Sequence, residues 1–587
     1  MITKRCSLFA VVLTVMAGAP LGGQEVSAAL KQADAAYRAG QAALARRDLG
    51  AAQADFEQVV KLAPAAEQGH SALGAVLLGR GHAREAIGEL EAALALKRTD
   101  GIAQENLARA YQDAGMPRRA VPVYAELLRG AKAQGRSLRP DLLAGYAQAL
   151  VSAGSLTQAA AAMKSAVAGE PRSAELHDAL GSILAQEKMW PEAEREFGQA
   201  VQLNPGLAMA HLHLGLAEQG QGKSGAEQLA EAARLAPGNP VIALERGKAL
   251  AAAGQDGPAM VEFQRVLGTD APQSGATWKE AMYEMALALQ RSNRVEEAMG
   301  LFRKVLAAEP DNSGALINLG MALTQAQRAK EAVPVLQHAV RVDGEAAVAH
   351  ENLAAAYVQL SQLEDAVKEL HAALKLAPDS PQVHYDLGLA LKMQDHPEEA
   401  IPQLEAAERL DPGSPEAPYA LGLLYLQAGR YEDAAREMKH SLELRPENGD
   451  GWATLGSVYS KLDKLPEATA ALREAVRQLP NQPDPHLTLA GVLAKENQPA
   501  EAMAQRRKAA ELMRGNMNRQ RAEVATHAGN GLLKNGDLAG AEERFRNAIS
   551  YDSSYGEAHL GLAKVMDREG KGVEAAAERE RAGVESK

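Results

Sequence analysis

The chain has 587 residues, 46% of them hydrophobic but only 4% aromatic, and alanine supplies much of the apolar share; this favours close-packed helices over a sheet enzyme. With 63 basic against 75 acidic residues the net charge is -12, which disfavours nucleic acid and other polyanions as partners. The single cysteine, Cys6, falls in the leader described next, so the rest of the chain offers no disulfide, thiolate nucleophile or cysteine metal site.

Lys4 and Arg5 precede an apolar run over residues 8–17 and a small-residue segment over 18–23, the three parts of a secretory signal peptide. The run is too short to span a bilayer comfortably. Pro20 disfavours cleavage after Ala19, which makes Gly23 the expected cleavage point and Ala28 the alternative. Cys6 stands before the apolar run rather than at its end, against a lipoprotein, and no later segment has about 18 uninterrupted apolar residues. The expectation is an exported protein, periplasmic or secreted, without a membrane span. Residues 1–23 are the signal peptide and 24–32 a short N-terminal segment.

From residue 33 onward a small residue recurs, as in Gly40, Gly74, Ala108, Gly181, Gly388, Gly422 and Ala563, giving sixteen registers of which most are 34 residues apart. Alanine follows twelve positions later, as in Ala52, Ala86 and Ala400; the shortened sixth unit offers Gly225 instead. Four positions beyond that comes a large side chain, and Phe56, Phe197, Phe263, Phe302 and Phe545 all occupy it. Eight units carry glycine at the turn between their helices, as in Gly115, Gly154 and Gly429, and prolines such as Pro64, Pro378, Pro412 and Pro446 stop the second helix.

This pattern resembles the tetratricopeptide repeat family, whose 34-residue unit has Gly or Ala at position 8, Ala at 20, a bulky residue at 24, Ala at 27 and Pro at 32. Residues 381–414 show it well, with His384, Leu387, Gly388, Leu391, Ala400, Leu404, Ala407 and Pro412. The resemblance implies an all-α, right-handed superhelical solenoid of about sixteen helix-turn-helix units. Arg506 and Arg579 replace the bulky residue at position 24 and weaken repeats fourteen and sixteen. Three intervals lengthen to 39 residues, near 130–140, 269–279 and 513–522. Read as joints, they divide the repeats into 33–139, 140–278, 279–521 and 522–587; the alternative is a helix extended by a turn.

Histidine is the obvious candidate for metal chemistry, with an HxH at His211 and His213. However, His70, His177, His211, His350, His384, His486 and His559 all occupy repeat position 4, where Trp452 stands in repeat thirteen. That register makes them helix-packing residues rather than ligands, and residues two apart on a helix do not share a face. The chain contains no G-x-G-x-x-G, Walker loop, H-E-x-x-H or G-x-S-x-G, and no repeat-free segment long enough for a catalytic domain. No enzyme activity, cofactor or metal is expected.

Binding is the remaining function. In the tetratricopeptide family the stacked first helices present positions 2, 5, 6, 9, 12 and 13 to a common groove. Repeats nine to twelve place Asn318, Met321, Asn352, Ala355, Tyr385, Asp386, Leu389, Tyr419 and Leu423 there. Amides can hydrogen-bond an extended backbone while tyrosine and aliphatic side chains pack its side chains; the competing account is that position 6 accepts Asn because it is exposed. The family's carboxylate-gripping Lys/Asn/Asn/Lys/Arg set is not found, and Ala420, Thr454 and Thr488 interrupt any asparagine ladder. Basic residues cluster at Arg129, Lys132, Arg136 and Arg139, and again at Arg506, Arg507, Lys508, Arg514, Arg519 and Arg521. Either cluster could dock an acidic partner or an anionic envelope polymer, or be a solvated face. The expected function is a non-enzymatic scaffold that binds proteins or extended peptides on its concave face, with an accessory role in envelope polysaccharide assembly or export as the alternative.

Overall fold

The computed structural model describes residues 28–268 and 275–583. The expected signal peptide and the core of the interval near 269–279 lie outside the described residues. Regular structure among the described residues consists of 31 α-helices. The chain forms two compact units, Met1–Leu301 and Phe302–Lys587, each built from consecutive helical hairpins.

One hairpin shows how the sequence makes the unit. Pro381 opens the first helix, Pro381–Met393, where its missing N–H costs nothing, and the Ser380 hydroxyl accepts from the Val383 amide at 3.3 Å. The chain reverses through Asp395 at φ +63°, and the His396 amide returns to the Leu391 carbonyl at 3.0 Å. The second helix, Pro397–Leu410, stops at Asp411, held extended at φ -130° because Pro412 follows. Ala63, Glu170, Asn204, Ala377, Arg445 and Leu479 end their helices in the same way, each before a proline.

Seven positions after each of the sixteen small residues the backbone takes a positive φ. Glycine supplies it in eight hairpins; Arg47, Lys188, Asn293, Gln327, Ser361, Asp395, Asp463 and Asn497 do so in the others. The turn is therefore imposed by the packing of the two helices and does not need glycine. The small residue itself is required by the bulky side chain at position 24. A Cβ on Gly388 would lie 2.6 Å from Leu404 Cγ and 3.3 Å from the Ala400 carbonyl oxygen. Phe56, Phe197, Phe263, Phe302 and Phe545 fill the same place and are 0–2% exposed.

The lengthened intervals differ from one another. Near 130–140 the helix Pro117–Ala133 runs to 17 residues and an irregular connection follows. Near 513–522 there is no connection at all: Pro499–Lys534 is one helix of 36 residues, serving as the second helix of repeat fourteen and the first of repeat fifteen. The boundary expected at 521/522 thus falls inside a helix. Arg514 stands at position 32, where eight of the sixteen repeats have proline, and no proline follows Pro499 within the helix, so no proline interrupts it. Among the described residues no helix is long and apolar enough to cross a membrane.

Candidate functional site: the first-helix face of repeats nine to thirteen

The expected groove residues all lie in the second compact unit, on the first helices Ser313–Gln325, Ala347–Gln359, Pro381–Met393 and Glu416–Gln427. Met321, Tyr385, Leu389, Tyr419 and Leu423 are half-buried and Ala355 is exposed. Successive repeats are linked across this face, for the Gln359 amide donates to the Thr324 carbonyl at 3.0 Å.

The asparagines are arranged differently from a free ladder. Asn318 donates its side-chain amide to the Gly314 carbonyl, and Asn352 to the Val348 carbonyl, both at 2.8 Å. Thr454 and Thr488 donate to Asp450 and Asp484 carbonyls at 2.8 and 3.0 Å. Position 6 therefore spends a donor on its own helix, one turn back.

The strongest feature of the face is acidic. Burial pushes the Asp386 carboxyl above its usual range against the opposing Gln382 hydrogen bond, and burial together with the Asp386 charge does the same to Glu351. Tyr385 is pushed up by burial and by Glu416 and Asp386; Tyr419 by burial and by Asp450, against a hydrogen bond from Thr454. Neither Glu351 nor Asp386 has an ion-pair partner among the described residues. Glu351 was not among the residues the sequence singled out, although it occupies position 5, the same position as Tyr385 and Tyr419.

The first compact unit solves the same problem internally. Arg109, at position 9 of repeat three, bridges Glu105 at position 5 and Asp141 at position 2 of the next repeat, at 3.0 and 3.1 Å. Lys248, at position 9 of repeat seven, bridges Glu245 and Glu280 at 3.1 and 2.9 Å. His213 meets Asp178 at 2.8 Å. In repeats nine to twelve position 9 is Met321, Ala355, Leu389 and Leu423, so the bridging cation is missing; Glu351 and Asp386 remain uncompensated among the described residues, whereas Glu416 pairs with Arg445 at the end of its own repeat's second helix.

The position-4 histidines are structural stitches. His70, His177, His350 and His559 set Nδ1 against Glu89, Glu196, Glu369 and Glu578 on the second helix at 2.5–2.7 Å. His211, His384 and His486 meet Gln228, Gln403 and Gln505 instead, at 2.6–2.8 Å. In His70, His177, His211, His384, His486 and His559 Nε2 faces the carbonyl six residues back, as His384 does Pro378 at 3.0 Å, and Trp452 donates to the equivalent Pro446 carbonyl at 2.9 Å. His211 and His213 point to different partners and share no site.

The second basic cluster lies on the long helix and divides in two. Arg519 pairs with Asp552 at 3.2 Å and stacks on Tyr555, Arg521 lies over Tyr551, and Lys508 pairs with Glu511 at 3.5 Å. Arg506, Arg507 and Arg514 are exposed with no carboxylate partner among the described residues. Helical periodicity places them on one face with exposed Met503, Met513, Met517 and Val524. In the first cluster Arg139 is taken up by Glu105 and Asp141, at 2.7 and 3.2 Å.

Tetratricopeptide repeat models match residues 33–65, 105–174, 146–208, 289–351, 391–458, 425–484 and 527–584, and a TPR repeat model matches 355–395, which together cover more than half of the chain. The chain belongs to the tetratricopeptide repeat (TPR) family. No curated protein matches it significantly. Among solved structures, the APC/C hetero-tetramer Cut9–Hcn1 aligns with 92% of this chain and 97% of its own at 14% identity and a TM-score of 0.33. YrrB, described as a TPR protein with an unusual peptide-binding site, aligns over 31% of this chain and 95% of its own at 22% identity and a TM-score of 0.29. A MamA fragment from Desulfovibrio magneticus RS-1 aligns over 29% and 94% at 23% identity and a TM-score of 0.28.

Proposed function

We propose that this TPR protein is an exported, non-enzymatic scaffold, and that the first-helix face of repeats nine to thirteen binds an extended protein segment carrying a cationic side chain. The observation that carries this reading is the loss of the position-9 cation. Where Arg109 and Lys248 neutralise their neighbours, repeats nine to twelve present aliphatic side chains beside uncompensated Glu351 and Asp386. A lysine or arginine of a bound segment would take the missing cation's place, while Tyr385, Leu389, Tyr419 and Leu423 pack its neighbours. Export rests on the charged, apolar and small-residue pattern of the first 23 residues.

Peptide arrays of extended segments with and without Lys or Arg, probed with the full chain, test the reading. Captured segments should be cationic, binding should weaken with salt, and the pair Glu351→Gln and Asp386→Asn should weaken it at least tenfold. The second reading has its own support in Arg506, Arg507 and Arg514, which line an exposed methionine face without carboxylate partners and would suit an acidic amphipathic segment. Capture of acidic segments, lost on neutralising those three arginines, would replace the groove reading with this one.

A further inference from the structure

We propose that Glu408, Glu437 and His440 form a binding site for a divalent transition-metal ion of the zinc class, held between the second helices of repeats eleven and twelve. Glu408 comes from the last turn of Pro397–Leu410; Glu437 and His440 come from Tyr431–Leu444, one helical turn apart and so on one face. One donor atom from each lies within 4.8 Å of the others. His440 Nδ1 donates to Glu408 Oε1 at 2.7 Å, so two of the three groups already converge.

The repeat pattern shows why this cluster is unlike the other His–Glu contacts. Glu437 stands at position 23, the place of Glu89, Glu196, Glu369 and Glu578, each of which meets the position-4 histidine of its own repeat. In repeat twelve position 4 is Pro418, so Glu437 keeps its buried place, 8% exposed, without that partner. Repeat seven shows the other outcome, in which Glu262 is compensated by both Arg246 and Arg265. Around Glu437 the charge does not close. Arg436 Nε reaches one Glu437 oxygen at 2.9 Å, but the same guanidinium also serves Asp433 at 2.8 Å, which Arg430 shares. Asp433 and Glu437 thus share two arginines, and Glu408, whose hydrogen bond is to His440, is the carboxylate without an arginine. Burial pushes the Glu437 carboxyl above its usual range; the Arg436 hydrogen bond opposes this and the Glu408 charge adds to it.

One imidazole nitrogen and two carboxylate oxygens suit zinc and its neighbours, with water completing the set, whereas calcium and magnesium call for oxygen ligands alone. The ion would replace the His440–Glu408 hydrogen bond, neutralise the excess charge, and tie together the two repeats whose first helices carry Tyr385 and Tyr419. The cluster spans positions 28, 23 and 26 of two repeats, so no single-repeat motif reveals it.

The test uses the full exported chain, prepared without a histidine tag and stripped with chelator, titrated with Co²⁺ by visible absorption and then with Zn²⁺ in competition. One equivalent of Co²⁺ should give the bands of a low-coordinate site and be displaced by Zn²⁺. Glu437→Gln and His440→Ala should each weaken Zn²⁺ binding more than tenfold, and half-exposed Glu408→Gln should do so where the buried substitution perturbs helix content. His350→Ala, which removes a His–Glu pair with no third ligand, should leave Zn²⁺ affinity unchanged. Absence of a stoichiometric site, or affinity unaltered in the folded Glu408→Gln and His440→Ala variants, overturns the proposal.

Discussion

Repeats three and seven, and repeats nine to twelve, use one backbone and opposite electrostatics. In the former, Arg109 or Lys248 at position 9 satisfies acids of its own repeat and of the next. In the latter, the same position carries Met321, Ala355, Leu389 or Leu423, and Glu351 and Asp386 are left half-buried beside tyrosines without a cation. A TPR face is thus not a binding surface by virtue of the fold. On the proposed reading it becomes one where the chain stops compensating its own charges, because an acid partly removed from water gains most from a partner's cation.

Both regions rest on the same helix crossing, and the largest effect should come from breaking it. Gly388→Leu puts side-chain atoms where Leu404 and the Ala400 carbonyl already lie, at a cost of about 1 to 3 kcal/mol. Hydrogen exchange should show faster opening in repeats ten to twelve only, since each repeat touches mainly its neighbours; uniform loosening along the chain would contradict that. Next, Arg109→Ala should uncover in repeat three the condition found in repeat ten. Glu105, 7% exposed, would keep only Arg139, and with Arg109 partly exposed the loss should be about 1 to 2 kcal/mol, read as a lower denaturation midpoint at unchanged slope.

The converse exchange is the sharpest test of the comparison. Ala355→Arg places a guanidinium four residues after Glu351, as Arg109 stands after Glu105. It should bring Glu351 back toward the ordinary carboxylate range by NMR titration and reduce affinity for a cationic segment about tenfold, ~1.4 kcal/mol. A variant that binds such segments as well as the parent would show that position 9 does not govern the face.

Asp386→Asn should have the smallest effect, and it carries a pH signature. Burial raises the folded-state pKa of Asp386 above its unfolded value. Its ionisation therefore costs no stability while both states are protonated, begins to cost as pH rises through about 4 where the unfolded chain ionises, and costs a constant amount above the folded pKa. The Asn variant should be more stable than the parent by ~0.5 kcal/mol near neutral pH and lose that advantage below about pH 4. A variant less stable at neutral pH would mean that the carboxylate already has a partner.

Much of this molecule was legible in order of residues alone. The recurrence of small residue, alanine and bulky side chain specified each hairpin, since a close crossing admits nothing larger at Gly388 or Gly181 than the space left by Leu404 or Phe197. The prolines at position 32 specified where second helices end, because a residue before proline is driven out of the helical region. The continuous helix Pro499–Lys534 was not legible in this way, since Arg98 and Gly344 also stand in the proline's place and their helices still end at Leu96 and Val342. The position-4 histidines were identifiable as packing residues by register.

Charge compensation was decided only by tertiary structure. Whether an acid is paired depends on which side chain of the next repeat reaches it, and Arg109–Asp141 and Lys248–Glu280 are separated by 32 residues. The asparagine donors were likewise committed by local geometry, to Gly314 and Val348, which no alignment of residue types displays. A strict 34-residue period fixes backbone and core because both repeat with the chain. Electrostatics does not repeat, since each carboxylate responds to its own burial and its own neighbours, and those are set only once adjacent repeats have stacked.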